Sequence, residues 1–322
     1  MTIKKQNLIA ISKKLRNKKD RLKSWIKTGK PLSLPSENQL VFPRQLFDTS
    51  LDLQSDKWYF NGFVIKSKDQ LLVVDPGVDF YSRFTTAGLS PLDIGGLILS
   101  HGHTDHSGDI VIFIEKVLRN KSQKIDVFIP KSAFEAEIPI YHQVKLQKSE
   151  HVNLVLLNKQ KNNHSHTILG NLRIEFIPLY QSSPDTFGFK LYLQNQTVGY
   201  VSDTGYAVKV KTDQGVYPPS TMEGNFIKIQ EKHEYIKNFY QDVGQAIVNI
   251  NDLHYNRHSK YHLSGWCVLD LFRNSSLQQL ILQHLSPINA DGEDSNYIYK
   301  LFFSDQPYET LLPHYLGRVI SL

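Results

Sequence analysis

Apolar positions in this chain fall into short runs that switch repeatedly between a two-residue and a three-to-four-residue period. Trp58 to Lys66 alternates, with Phe60, Phe63 and Val64 apolar, and Gln70 to Val74 returns to complete a first hairpin. Leu92 to Leu99 is a nearly continuous apolar strand. From Ser107 onward Ile110, Val111, Ile114 and Val117 take helical spacing, which ends at Asn120. Ile125 to Ile129 predicts a short strand and Lys131 to Glu137 a helix. Val152 to Leu157, Leu172 to Ile177 and Phe187 to Leu193 predict further strands, with turn residues between them. Ala246 to Asp252 is a buried-type strand, followed by a helix from Trp266 to Phe272 and a strand leading to His284. The stretch from Gly205 to Gln245 is less regular. Thr212 to Glu223 is rich in turn formers, and Phe226 to Tyr240 is expected to form a polar helix, either a substrate lid or a surface insertion.

The N-terminal segment differs in composition. Leu8, Ile11, Leu15, Leu22 and Trp25 recur at three-, four- and seven-residue steps among lysines and arginines, which predicts a basic amphipathic helix over residues 7 to 27. Gly29, Pro31, Pro35 and Ser36 then break the pattern. Residues 1 to 30 hold eleven Lys or Arg against one acid, so the chain's net charge of +6 leaves −4 for the remainder. The division expected is a basic extension over residues 1–50 and a larger domain over 51–322. The apolar stripe is open to docking on that domain or on a second copy in a homodimer. The basic face is open to phosphates of RNA or to an anionic membrane surface. No apolar run is long enough to span a bilayer, no secretory leader is evident, and a single cysteine, Cys267, fits a reducing cytoplasm. Cys267 lies in an apolar pattern and is expected to be a small buried hydrophobe.

The chemistry is concentrated in Leu97-Ile-Leu-Ser-His-Gly-His-Thr-Asp-His-Ser-Gly108. In an extended stretch alternate side chains share a face, so His101 and His103 are placed to share one cation. Asp105 and His106, from the turn that follows, are placed to reach a second cation nearby. His and Asp clustered in this way are metal-ligand chemistry.

His101-x-His103-x-Asp105-His106 resembles the signature of the metallo-β-lactamase superfamily. Gln70 to Gly77 resembles the strand and turn that carry a supporting aspartate, Asp75. Val198 to Gly205 resembles the strand that ends in the metal-bridging aspartate, here Asp203. Leu280 to Ser286 resembles the last strand with the final histidine ligand, here His284. The resemblance implies an α+β fold, a four-layer αββα sandwich with metals at one edge, and a site for two divalent ions, zinc foremost. One position departs from the pattern. Where the family has a third histidine for the first metal, this chain has Gln181, an amide better suited to manganese or another oxygen-tolerant ion. His164 and His166 lie upstream as candidate substitutes. The C-terminal part resembles the phosphodiesterase branch, above all the tRNA 3′-processing endoribonucleases. There a histidine 22 residues before the last ligand protonates the leaving group, here His262, and a strand-end acid orients it, for which Asp252 is the nearest counterpart. The branch's His-Glu-Ala-Thr tetrapeptide is absent.

The resemblance therefore implies a metal-dependent hydrolase, foremost a phosphodiesterase or ribonuclease using a metal-bridged hydroxide. Two alternatives are an ester, lactone or thioester hydrolase, and a non-catalytic member that binds a nucleotide or partner.

Overall fold

The computed structural model describes residues 38–43, 62–160, 165–194, 196–255, 257–284, 302–311 and 319–321. In chain order the first strands are β1 (Gln39–Val41), β2 (Phe63–Ser67), β3 (Gln70–Val74), β4 (Ile94–Ile98), β5 (Ile125–Pro130) and β6 (Val152–Leu157). They form one sheet in that order, with β3 to β6 parallel. Next come β7 (Ser165–Ile168), β8 (Leu172–Pro178), β9 (Phe187–Tyr192) and β10 (Thr197–Val201), all antiparallel neighbours in a second sheet. A separate small sheet follows, made of β11 (Ala207–Thr212), β12 (Val216–Tyr217) and β13 (Phe226–Lys232). The chain returns to the second sheet with β14 (Gln245–Asp252), flanked by β15 (Leu263–Ser264), and with β16 (Gln279–Gln283) and β17 (Glu309–Leu311). It closes with β18 (Val319–Ser321) beside β1 in the first sheet.

Side-chain alternation assigns each face. In β2, Phe63 and Ile65 enter the layer between the two sheets, where they meet Phe176, Phe189 and Tyr200 of the second sheet. Val64 points the other way, into a layer covered by helices α1 (Phe80–Thr86), α3 (Ile110–Arg119), α4 (Lys131–Glu137) and α5 (Ile140–Lys148), while the short α2 (Thr104–Ser107) lies between β4 and α3 in the chain. Ile110, Phe113, Ile114 and Val117 are the buried face of α3. The second sheet repeats the arrangement. Ile247 and Ile281 face inward, whereas Ala246, Val248, Leu280 and Leu282 face α6 (Glu234–Phe239) and α7 (Gly265–Leu271). The result is the expected αββα order. Gly96 sits where a Cβ would press on Leu72 and Ile168 side chains, so the glycine lets the two sheets approach.

Three features differ from expectation. Residues 226–232 form β13 and only 234–239 are helical. Phe226 and Ile229 pack on the core while Ile227, Lys228 and Gln230 face out, and pairing with β11 satisfies the backbone. β7 and α5 lie in stretches too polar to announce themselves. Gln39–Val41, read as part of the extension, pairs with β2, so the packed domain begins before residue 51. The basic helix over residues 7 to 27 lies outside the described residues. No helix among the described residues is long and apolar enough to cross a membrane.

Cys267 is fully buried on α7, capped at its backbone N by the Ser264 hydroxyl at 3.4 Å. Burial pushes its thiol up to about 11. A disulfide exchange reagent is therefore expected to leave the native protein unmodified and to titrate one thiol after denaturation. Rapid reaction of the native protein would contradict this packing.

Candidate metal centre

Every residue of the signature stands where a strand of one sheet ends against the other. β3 ends at Asp75, β4 runs into His101 to His106, β10 into Asp203 and β16 into His284. The edges are tied by a hydrogen bond from the Phe187 amide to the Ser100 carbonyl at 3.0 Å. Two groups of donors share one carboxylate: His101, His103 and Asp203 form one, and Asp105, His106, Asp203 and His284 the other. Asp203 Oδ2 lies 3.7 Å from His101 Nε2, 3.5 Å from His106 Nε2 and 3.6 Å from His284 Nε2. His101 Nε2 and His103 Nδ1 are 3.1 Å apart, and His284 Nε2 is 3.0 Å from Asp105 Oδ2. Beside them opens a cavity of about 530 Å³, whose walls include Asp105, Glu137, Asp203, His262 and His284.

So much charge in a buried place changes the acidities. Burial raises the Asp203 carboxyl, but His284 and His106 outweigh it and hold Asp203 well below the usual range. Asp105 is likewise held low, against its burial, by His106 and His284. Burial opposes charge on His106, yet Asp105, Asp203 and Asp75 carry it well above the ordinary imidazole value. His101 goes the other way: burial and then the neighbouring His106 keep it well below that value. Two ionised carboxylates within reach of four imidazoles are a place for cationic charge.

A second buried network decides which ring nitrogens face this centre. Asp75 accepts from the Ser100 amide and hydroxyl at 2.6 Å each, from the Tyr200 hydroxyl at 2.5 Å and from His106 Nδ1 at 2.9 Å. His101 Nδ1 is 3.0 Å from the Ser100 hydroxyl, which also accepts from Ser202 at 2.7 Å. With both Nδ1 atoms engaged there, the Nε2 atoms of His101 and His106 are left facing Asp203, as metal coordination requires. Asn249 donates to Asp203 Oδ1 at 2.9 Å and receives Gln283 Nε2 at 2.7 Å. Asp75 (φ 47°) and His284 (φ 63°) both hold left-handed backbone, which costs about 1–3 kcal/mol at a non-glycine residue and persists because the surroundings fix it. Tyr200, Asn249 and Gln283 did not stand out in the sequence. Their only signal is a lone polar group inside or at the end of an apolar strand.

Gln181 is buried beside the shared carboxylate, with Nε2 3.5 Å from Asp203 Oδ2. Its carbonyl oxygen accepts from both the amide and the hydroxyl of Ser182, so in this arrangement the oxygen is turned away from the centre. His166 lies on β7, packed edge-on against Phe128 and Phe176, and does not join the ligand group. His164 lies outside the described residues. His262 lines the cavity, with Nε2 3.7 Å from Asp203 Oδ2. Asp252 is not its orienting partner here. Asp252 Oδ1 accepts from the His254 amide at 3.1 Å, while His262 Nδ1 is buried without a hydrogen-bond partner. The physical reason is local: Asp252 ends the strand β14 and leads directly into a turn, where its carboxylate accepts from the His254 amide.

The family model of the beta-lactamase superfamily domain matches residues 71–284. The chain belongs to that superfamily. A curated relative, the uncharacterized protein MJ1374 of Methanocaldococcus jannaschii, is 26% identical over 159 residues, covering 47% of this chain and 56% of that protein. This chain thus spans little more than half the length of the relative. Among solved structures, the metallo-β-lactamase fold protein YhfI from Bacillus subtilis matches with TM-score 0.60 and 16% identity, covering 89% of this chain and all of that one. The short form of human tRNase Z matches with TM-score 0.56 and 13% identity, covering 88% and 98%. Zinc-bound PqqB from Methylobacterium extorquens matches with TM-score 0.61 and 8% identity, covering 88% and 100%. At these identities the likeness is one of fold.

Since Asp75 orients His106 directly and His101 through Ser100, Asp75→Asn is expected to weaken metal binding at both donor groups, by about 10- to 100-fold. Competition with a chromophoric chelator measures it. A loss confined to one group, or none, would mean that Asp75 only supports the fold.

Proposed function

We propose that this chain is a metal-dependent phosphodiesterase acting on RNA or a nucleotide. The observation that carries this reading is His262, a side chain outside both donor groups that stands in the same cavity, 3.7 Å from the shared carboxylate. His101 and His103, with Gln181 at their side, would hold one divalent cation. Asp105, His106 and His284 would hold the other, with Asp203 between them. Zinc suits the second set, which has two imidazoles and two carboxylates and no amide, and manganese or a similar ion is the alternative beside Gln181. When bound, such a pair would supply positive charge to a phosphoryl oxygen and lower the pKa of water towards neutrality.

The remaining work belongs to the chain. Asp75, Ser100 and Tyr200 keep the ligand rings in one orientation, so little reorganisation is needed on reaction. His262 would hold a proton at Nε2 for the departing oxygen. Burial keeps His262 below its ordinary value, with Asp203 pulling the other way, and a phosphate anion in the cavity favours the protonated form further. The basic N-terminal segment would add phosphate contacts, and a second copy of the chain is a further candidate partner for its apolar stripe. Human tRNase Z, one of the structural neighbours, fits this substrate class. The Ser182-bound carbonyl of Gln181 favours a second reading, a non-catalytic binder whose first group holds no ion.

Asp105→Ala or His106→Ala is expected to abolish cleavage of a generic phosphodiester and to lower metal content, whereas His262→Ala should keep its metal. The His262→Ala loss should be about 10²- to 10⁴-fold with a ribose hydroxyl as leaving group and small with p-nitrophenolate, which departs without a proton. Equal losses on both leaving groups would remove the proton-donor role. Full activity of Asp105→Ala would overturn the site.

A separate expectation concerns the N-terminal charge. Deleting residues 1–30 removes a balance of +10 and should weaken binding of structured RNA, with a reduced salt slope, while sparing a small diester. Equal loss on both substrates would make the segment a structural element.

A further inference from the structure

The residues that immediately precede Gln181 and His262 belong to a row of rings that metal chemistry does not require. Tyr180 and Tyr261 are near-parallel, with centroids 6.0 Å apart and an interplanar angle of 26°. Tyr180 also meets His233 at 5.2 Å and 34°, and His233 meets Tyr235 edge-on at 5.8 Å. Most large rings among the described residues are buried or half-buried, but Tyr180 is 43% and Tyr235 46% exposed. Lys260 adds a cation, its Nζ 4.6 Å from the centre of the Tyr261 ring.

The row is fixed to the reactive centre by the chain itself. Tyr180 immediately precedes Gln181, and Tyr261 immediately precedes His262. The Tyr180 amide donates to the Thr204 hydroxyl at 3.1 Å, and its carbonyl accepts from Gly205 at 2.7 Å, one and two residues past Asp203. Gly205 has no room for a Cβ, which would strike the Lys260 carbonyl and press on the Tyr180 ring. The glycine therefore lets the two ring-bearing loops touch. His233 is brought in by the β11–β13 sheet, held by a bond from its amide to the Tyr206 carbonyl at 2.9 Å.

We propose that Tyr261, Tyr180 and His233 form a stacking platform for one unpaired nucleobase next to the scissile phosphate, with Lys260 contacting a neighbouring phosphate. The proposal rests on the phosphodiesterase reading and narrows its substrate class. Exposed aromatic rings interleaved with a cation are how single-stranded nucleic acid is held, because every base has a face to stack while a duplex keeps its bases covered. An apolar substrate would have no use for Lys260, and a bare phosphate no use for three rings.

The test is calorimetric binding of adenosine 5′-monophosphate and of ribose 5-phosphate to the full-length, metal-loaded protein. The base should tighten binding by roughly 5- to 150-fold. The double substitution Tyr180→Ala with Tyr261→Ala should reduce adenosine 5′-monophosphate to the level of ribose 5-phosphate. Tyr180→Phe with Tyr261→Phe should retain the difference, which excludes misfolding as the cause. Lys260→Ala should leave both single-phosphate ligands unchanged and weaken a 5′-phosphorylated diadenylate, which carries a second phosphate. Equal wild-type affinity for the two ligands would overturn the platform, as would an advantage of the base that survives loss of both tyrosine rings. Base-dependent binding without cleavage of any phosphodiester would overturn the reaction and leave the platform. Cleavage of diesters with no contribution from the base would do the reverse.

Discussion

A carboxylate buried between two sheets is tolerated only where cations or hydrogen-bond donors surround it, and this constraint organises the molecule around Asp203. It is 2% exposed and has three imidazole nitrogens of the ligand group within 3.7 Å. Each comes from a strand end of one sheet or the other. The sandwich must therefore close in register for the centre to exist, and a centre that holds metal holds the sandwich closed. Asp75 extends the same logic one layer down. Its four hydrogen bonds come from β10, from His106 and from Ser100, so one buried anion ties both sheets to the ligand rings.

The sequence made the core pattern plain wherever period and chemistry agreed. The strand at β4 and the helix at α3 could be read from apolar spacing, and the His-x-His-x-Asp-His loop between them from ligand clustering. Asp203 and His284 were legible only through the resemblance, because neither has a second ligand nearby in sequence. β13 was misread as helix because its edge-like position lets polar residues face out on both sides. Asp252 is the counterpart that the resemblance offers for an orienting acid, and only three-dimensional geometry shows its carboxylate on the His254 amide. The buried network of Tyr200, Asn249 and Gln283 was invisible because each is a single polar residue whose partners lie tens of residues away.

The substitution at Gln181 and the ring row beside it sit on the same loop. An imidazole there would complete three nitrogen donors for the first group. The amide instead bonds to Ser182, and the neighbouring Tyr180 turns outward into the aromatic row. One short loop between β8 and β9 thus carries both Gln181 and Tyr180, whereas Asp105, His106 and His284 come from other strand ends. Divergence within a shared fold is easiest in such a loop, since the sheets below it do not change.

Anomalous X-ray scattering from crystals grown with zinc tests the central claim most directly. The account predicts two metal peaks on either side of the Asp203 carboxylate, the stronger one among Asp105, His106 and His284 and the weaker beside Gln181. Metal bound elsewhere, or no peak at Asp203, would contradict it.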